Sequence, residues 1–268
     1  MAKYKKKRAR ELQHDRFRDT TMTLLDRVGN LLEGRGRSIL YAFGGLVVAV
    51  LVVIVFIKWN GRKNDEARQA LGRAINISGG SIAGATTPGS ATGPTFGSEQ
   101  ERAQKAIEEF EKVATKYGDP YKTEARYFIA TNRLSLDRPK AIGELTELAN
   151  SKIPEVAVLS KFALAQATEA DGKPDEAARI YAEVARLNNE VVTAETANLR
   201  LAKVYQKQGK KKEAADLLFA IVDASRKLKG KDGLPLPPSA AARDAADELQ
   251  KLDPDRYAQL PPEASPLG

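Results

Sequence analysis

The stretch Leu164-Ala-Gln-Ala-Thr-Glu-Ala-Asp-Gly172 recurs 37 residues later as Leu201-Ala-Lys-Val-Tyr-Gln-Lys-Gln-Gly209. The residues that follow also recur, because Asp175-Glu-Ala-Ala-Arg-Ile-Tyr181 matches Lys212-Glu-Ala-Ala-Asp-Leu-Leu218. Self-similarity at such a period is typical of repeat proteins, in which one small structural unit stacks on the next. Apolar residues keep helical spacing on both sides of a glycine-containing turn. Each unit is therefore predicted to be a helix, a tight turn and a second helix.

The same template extends towards the N-terminus. Ile129-Ala130 and Ala141-Ile-Gly-Glu-Leu145 fit it with one residue deleted in the turn. Ala106-Ile-Glu-Glu-Phe110 supplies the second helix of an earlier unit, and Asp65–Ile77 is predicted to supply its first helix. Small residues are expected where paired helices approach closely, and larger ones where they fill the space between. The small residues are Ala106, Ala130, Ala141, Ala165, Ala177, Ala202 and Ala214, and the larger ones are Phe110, Leu145, Tyr181 and Leu218.

The fold class predicted from this pattern is all-α, because no part of the distal chain alternates at period two. A connecting helix and a flexible loop rich in Gly, Ser and Thr occupy residues 58–98, and about four stacked hairpins occupy residues 99–226 together with that connecting helix. Residues 227–252 are predicted to form a loop and a helix that caps the last hairpin, since an uncapped stack would expose apolar surface. Residues 253–268 are predicted to be disordered.

Residues 39–57 predict a single transmembrane helix. These 19 residues carry no charge, and at about 1.5 Å per residue they span roughly 29 Å, close to the hydrocarbon thickness of a bilayer. No small-residue cleavage site follows, so the segment is interpreted as an uncleaved signal anchor. The 11 Lys and Arg of residues 1–38 favour a cytoplasmic N-terminus, although the residues nearest the span carry more cations on its distal side.

The tail at residues 1–38 combines a polybasic run with an amphipathic helical pattern that includes Phe17, Leu24 and Leu31. Such a helix beside a membrane span can lie on the bilayer surface or pack on another membrane protein. The alternative is a solvated tail whose charge only orients the anchor.

Composition excludes most enzyme chemistry. The chain has no cysteine and one histidine, His14, in the basic tail, so thiol nucleophiles, His-based triads and cysteine or histidine metal sites are excluded. Carboxylate clusters such as Glu108, Glu109 and Glu111 lie on helix faces without an apolar cleft around them. The protein is predicted not to be an enzyme, with no catalytic residue, cofactor or metal. The tail contributes +6 of the net charge of +8, so the positive charge belongs to the tail and not to a face of the repeat domain. No nucleic-acid partner is therefore expected.

The repeat resembles the tetratricopeptide repeat. Ala197–Gly209 and Gly172–Tyr181 carry the small residue, Tyr, Gly, Ala and aromatic residue at that family's offsets. The resemblance implies a concave groove that is lined by first-helix residues. Part of that set is apolar and would suit an amphipathic helix or an extended peptide. The alternative is that Phe162 and Leu199 simply pack against neighbouring helices. The expected groove residues are Tyr127, Thr131, Leu134, Leu159, Phe162, Gln166, Leu199, Lys203 and Gln206.

The layout of tail, single anchor and repeat domain is similar to the bacterial ancillary subunit of the Sec translocon. That resemblance implies a single-pass inner-membrane protein with a cytoplasmic N-terminus and a periplasmic repeat domain. Its implied partners are translocon subunits, periplasmic chaperones or translocated chains. A different hypothesis is a structural scaffold of the cell envelope that assembles as a homo-oligomer through its repeats or its anchor.

Overall fold

A computed structural model describes residues 63–83, 93–231 and 233–262. The predicted transmembrane helix at 39–57 and the tail at 1–38 lie outside the described residues. Within the described ranges, no helix combines the length and apolar character needed to cross a membrane. The described residues from Glu66 onward belong to one unit by their contacts.

The described chain contains ten helices and two short strands, which confirms the all-α prediction for this part of the protein. Strand β1 (Ser81–Ile82) pairs in parallel with β2 (Thr95–Phe96). The helices are α1 (63–78), α2 (Glu99–Lys116), α3 (Tyr121–Arg133), α4 (Arg138–Leu148), α5 (Pro154–Ala170), α6 (Pro174–Leu187), α7 (Ala194–Lys207), α8 (Lys211–Lys227), α9 (Ala240–Leu252) and α10 (Pro254–Tyr257).

Successive helices from α2 to α9 form a stack of hairpins. Each packs against the next, and α3 also contacts α5 while α7 contacts α9. Contacts between alternate helices are expected when one hairpin lies on another. Helices α3, α5, α7 and α9 are therefore the first helices of successive hairpins, and α4, α6 and α8 are the second helices.

The turns inside two hairpins are built in the same way. After α5, Gly172 has a φ of 72° and Lys173 N–H donates to the Thr168 carbonyl at 3.1 Å. After α7, Gly209 has a φ of 74° and Lys210 N–H donates to the Tyr205 carbonyl at 2.9 Å. This bond closes a helix C-terminus of the Schellman type, in which glycine adopts the left-handed conformation without steric cost. The repeated sequence thus encodes a repeated turn.

The predicted division into small and larger core residues is confirmed. Every residue of both sets has an exposed fraction of 0%. Alanine at the contact positions lets paired helices approach closely, and the larger side chains fill the layer between them.

The helix expected at Asp65–Ile77 is present as α1 and packs on α2. Leu71 and Ala74 lie in one apolar cluster with Ala106 and Phe110. Glu66 at the start of α1 is 3.8 Å from Lys116 at the end of α2. The two helices are therefore antiparallel, and α1 is the first helix of the first hairpin.

The Gly-, Ser- and Thr-rich loop predicted within residues 58–98 includes the paired strands β1 and β2, which the sequence pattern did not indicate. Ser81 N–H donates to the Pro94 carbonyl and Ala83 N–H donates to the Phe96 carbonyl, at 3.0 and 2.8 Å. A Cβ on Gly80 would lie 2.5 Å from the Phe96 ring and 2.6 Å from the Pro94 carbonyl. Only glycine permits this approach, which no local periodicity reveals.

The C-terminal helix caps the stack as expected. Ala242, Ala245 and Leu249 of α9 are buried against α8 residues that include Leu218 and Ile221. Ala246 and Leu252 are partly buried in the same cluster.

Residues 253–268 were predicted to be disordered, but the first part of this segment, residues 253–262, has a defined structure. Asp253 caps the short helix α10, and Leu260 is buried against the last hairpin. Arg226 of α8 donates to the Pro261 carbonyl and lies over the Tyr257 ring. These tertiary contacts order the segment to residue 262, and residues 263–268 lie outside the described ranges.

Candidate functional site

The nine residues expected to line a groove occupy matching positions on the first helices. Each set is placed by its buried alanine, which is Ala130 in α3, Ala165 in α5 and Ala202 in α7. The structure brings α3 beside α5, so their candidate residues lie on neighbouring helices. Three residues before the alanine lie Tyr127, Phe162 and Leu199, one residue after it lie Thr131, Gln166 and Lys203, and the remaining three are Leu134, Leu159 and Gln206.

Two of the nine residues serve chiefly as packing. Leu199 is 6% exposed and belongs to the cluster that also contains Leu218. Phe162 is half-buried and packs edge-to-face on Tyr181 with ring centroids 5.6 Å apart. Leu199 has almost no surface to offer a partner, whereas Phe162 keeps part of its ring accessible.

The other seven residues are at least partly accessible. Gln166 is exposed, and Thr131, Lys203 and Gln206 are half-buried. Tyr127, Leu134 and Leu159 are half-buried because each also packs on an apolar cluster between hairpins. The accessible surface therefore combines apolar patches with polar side chains, as peptide-binding surfaces of helical repeats require.

The start of the surface carries negative charge. Glu124 lies six residues before Ala130, the spacing that places Leu159 before Ala165. Burial raises the pKa of the Glu124 carboxyl, and the negative charge of Glu155 at the start of α5 raises it further. Burial likewise raises the pKa of the Tyr127 phenol.

Glu169 connects three helices beside the surface. It lies four residues after Ala165, at the spacing of Leu134 and Gln206 from their own alanines. Its carboxylate accepts a hydrogen bond from the Tyr181 hydroxyl at 3.1 Å and one from Lys207 Nζ at 2.5 Å. Charged acceptors make such bonds strong, so Glu169 holds α5, α6 and α7 in register.

Sequence reasoning missed three residues at groove positions: Glu124, Glu169 and Thr196. Their spacing from the buried alanines would have identified them, because the same offsets were used for Leu159, Leu134 and Gln206. Charge then varies along the surface, from Glu124 and Glu155 at α3 and α5 to Lys203 at α7.

The arrangement presents apolar, polar and charged side chains at accessible first-helix positions. In the part of the chain that the structure describes, no group of three His, Cys, Asp or Glu could hold a metal ion. No protein-family model, curated protein or solved structure matches the chain. The class of protein is thus defined by its fold, an all-α stack of helical hairpins.

Proposed function

We propose that this protein is a non-enzymatic, membrane-anchored interaction module. Its tetratricopeptide-like hairpins would bind partner proteins along the first helices α3, α5 and α7. The observation that carries the proposal is the repeated register of these helices. Buried alanines occupy matching positions in these helices, so accessible residues recur at fixed offsets from one hairpin to the next.

The charges of that series favour one orientation of the bound segment. Glu124 and Glu155 attract cationic residues at α3 and α5, and Lys203 attracts an acidic residue at α7. Phe162 and Leu159 offer apolar contact between them. The partner that fits is an amphipathic helix or extended peptide with a basic and an acidic end, because charge complementarity sets specificity and register.

The membrane anchor predicted at 39–57 would confine this surface to a bilayer. Tethering raises the effective concentration of a binding surface near partners in the same membrane. The layout supports a narrower proposal, an ancillary component or chaperone-linking factor at the Sec translocon of the bacterial inner membrane. Its partners would be translocon subunits, periplasmic chaperones or translocated chains.

Site-specific photocrosslinking in native membranes tests the proposal. A photoreactive residue is introduced at Gln166, which is exposed on α5, and in a matched variant at Arg179, which is exposed on the second helix α6. We expect a discrete adduct from position 166 that is absent from position 179. Mass spectrometry of that adduct identifies the partner.

Three other outcomes would reject the proposal. Identical adducts from both positions, or none from position 166, would remove the first-helix surface as the binding site. Adducts that contain only further copies of this chain would favour a self-assembling envelope scaffold, and sedimentation of the detergent-solubilised full chain would then show an oligomer.

A further inference from the structure

Exposed apolar side chains are concentrated at one edge of the stack. Among the described residues, seven large apolar side chains are exposed, and five of them lie at or after the end of a second helix. Isolated exposed leucines are common in soluble proteins, but a group held together in one connection, as at positions 228, 234 and 236, indicates an interaction surface. The five are Leu187 (47% exposed), Val191 (51%), Leu228 (51%), Leu234 (63%) and Leu236 (47%).

Three of these residues belong to the connection between α8 and α9, whose described residues 228–231 and 233–236 we call the apolar hairpin. Gly230 N–H donates to the Leu234 carbonyl at 2.8 Å, and Leu236 N–H donates to the Leu228 carbonyl at 3.1 Å. The backbone is held by its own hydrogen bonds while the three leucine side chains project outward. The exposure of the three leucines therefore results from a hydrogen-bonded backbone conformation.

Lysines surround these leucines. Residues 227–238 contain Lys227, Lys229 and Lys231 against the single acid Asp232. Lys227 pairs with Asp223 at 2.6 Å, and Lys229 and Lys231 are exposed. An ordered loop that combines exposed leucines with an excess of lysine matches the interfacial region of an anionic bilayer, where acyl chains lie beneath phosphate groups.

The same edge is where the chain enters the stack. Glu66 at the start of α1 lies beside Lys116 at the end of α2, so α1 begins at the edge where second helices end. At the far end, the Ser239 hydroxyl donates to Glu195 at 2.7 Å, which places the start of α9 beside the start of α7. The connection from the predicted span to this edge is short in sequence, because the span ends at residue 57 and α1 begins at residue 63.

We propose that this edge, through the apolar hairpin, contacts an anionic phospholipid bilayer. Leu228, Leu234 and Leu236 enter the interfacial region, and Lys229 and Lys231 bind lipid phosphates. The inference rests on the proposed membrane anchorage and adds a second, reversible contact to it. Such a contact would orient the repeat domain, leaving the first-helix surface free for protein partners.

The absence of native cysteine makes a direct test possible. Full-length protein carrying Leu236→Cys is labelled with an environment-sensitive fluorophore and reconstituted into phosphatidylcholine vesicles with or without phosphatidylglycerol. The matched control is Ala220→Cys, which is exposed on α8. We expect a blue shift and quenching by spin-labelled lipid at position 236 only, and only with phosphatidylglycerol. Lys229→Gln and Lys231→Gln should each reduce the ratio of lipid-bound to free hairpin by about fivefold.

Flotation of the same samples separates this inference from the proposed function. Protein that floats with the vesicles but shows no quenching at position 236 retains its anchor and overturns the bilayer contact. If the protein does not float with the vesicles, both the proposed anchor and the proposed bilayer contact are rejected. A blue shift without lipid quenching, or one that grows with protein density, would assign the hairpin to a protein partner or a second copy and also overturn the proposal.

Discussion

The hairpins α5–α6 and α7–α8 share one backbone and differ at matched side chains. Both have the same turn geometry at Gly172 and Gly209, and both place buried alanines at the same offsets. Where hairpin α5–α6 has Ser160, Phe162 and Tyr181, hairpin α7–α8 has Ala197, Leu199 and Leu218. The small residues and the glycine therefore determine the hairpin, whereas the larger positions can vary and acquire hairpin-specific roles.

The largest effect is expected at the buried aromatic residue of hairpin α5–α6. Tyr181 is fully buried and packs on Phe162, so Tyr181→Ala should lower the free energy of unfolding by about 3–5 kcal/mol through loss of contacts and a cavity. Tyr181→Leu introduces the leucine that hairpin α7–α8 has at the matched position 218, and it should lower the free energy of unfolding by less than half as much. Denaturant unfolding followed by circular dichroism measures both. Equal losses would show that positions 181 and 218 are not structurally equivalent.

The two glycines should respond alike, with a smaller loss. Their φ angles of 72° and 74° lie in the left-handed region, so Gly172→Ala and Gly209→Ala should each cost about 1–2 kcal/mol. The control is Gly143→Ala in α4, where an added Cβ meets no atom within 4 Å. It should stabilise the helix by about 0.5–1 kcal/mol. Thermal melting of the three variants measures these changes. If only one of the two turn variants is destabilised, the two turns do not depend on glycine in the same way.

Ser160 and Ala197 provide a reciprocal exchange between the hairpins. Ser160 is 0% exposed, and its hydroxyl has no hydrogen-bond partner among the described residues. Ser160→Ala should therefore stabilise the protein by about 1 kcal/mol, and Ala197→Ser should destabilise it by a similar amount. Opposite shifts in melting temperature are expected. Shifts of the same sign would mean that the two sites differ in their surroundings.

The smallest effect is expected at Glu124, whose matched residues in the next hairpins are Leu159 and Thr196. Because its pKa is raised in the folded protein, the folded state binds the proton more tightly than the unfolded state. The stability contributed by this proton is present at acid pH and is lost as pH rises through the folded pKa. Glu124→Gln should raise the melting temperature at pH 7 and have no effect near pH 4.

A matched control separates this pKa effect from loss of a surface charge. Glu190 is exposed on the connection between α6 and α7. Glu190→Gln should change the melting temperature little at either pH. An equal increase for both variants at pH 7 would attribute the result to net charge instead of burial.

Several elements followed from local pattern alone. The glycine-containing turns at Gly172 and Gly209 and the helix α1 agree with prediction, because each depends on residues within a few positions along the chain. The β1–β2 ladder and α10 were missed. The ladder pairs Ser81 with Thr95, and α10 is held by α8, whose Arg226 lies over the Tyr257 ring. Neither segment has the length or periodicity that marks an element in a sequence.

The candidate surface likewise has features that follow from local sequence pattern and features that depend on distant contacts. Register identified the first-helix positions, but burial of Leu199 and the contact of Phe162 with Tyr181 depend on neighbouring helices. The link from Glu169 to Lys207 spans 38 residues, and no periodicity indicates it.

The amino-acid sequence by itself determined the hairpins, their turns and the residues at their close contacts, because helical periodicity and glycine chemistry act locally. Only the tertiary structure decided which of the matched residues stay accessible, how charge is distributed along the first helices, and that Leu187, Val191 and the apolar hairpin lie at the edge where α1 begins. These properties arise when helices far apart in sequence pack together, so they depend on the whole stack.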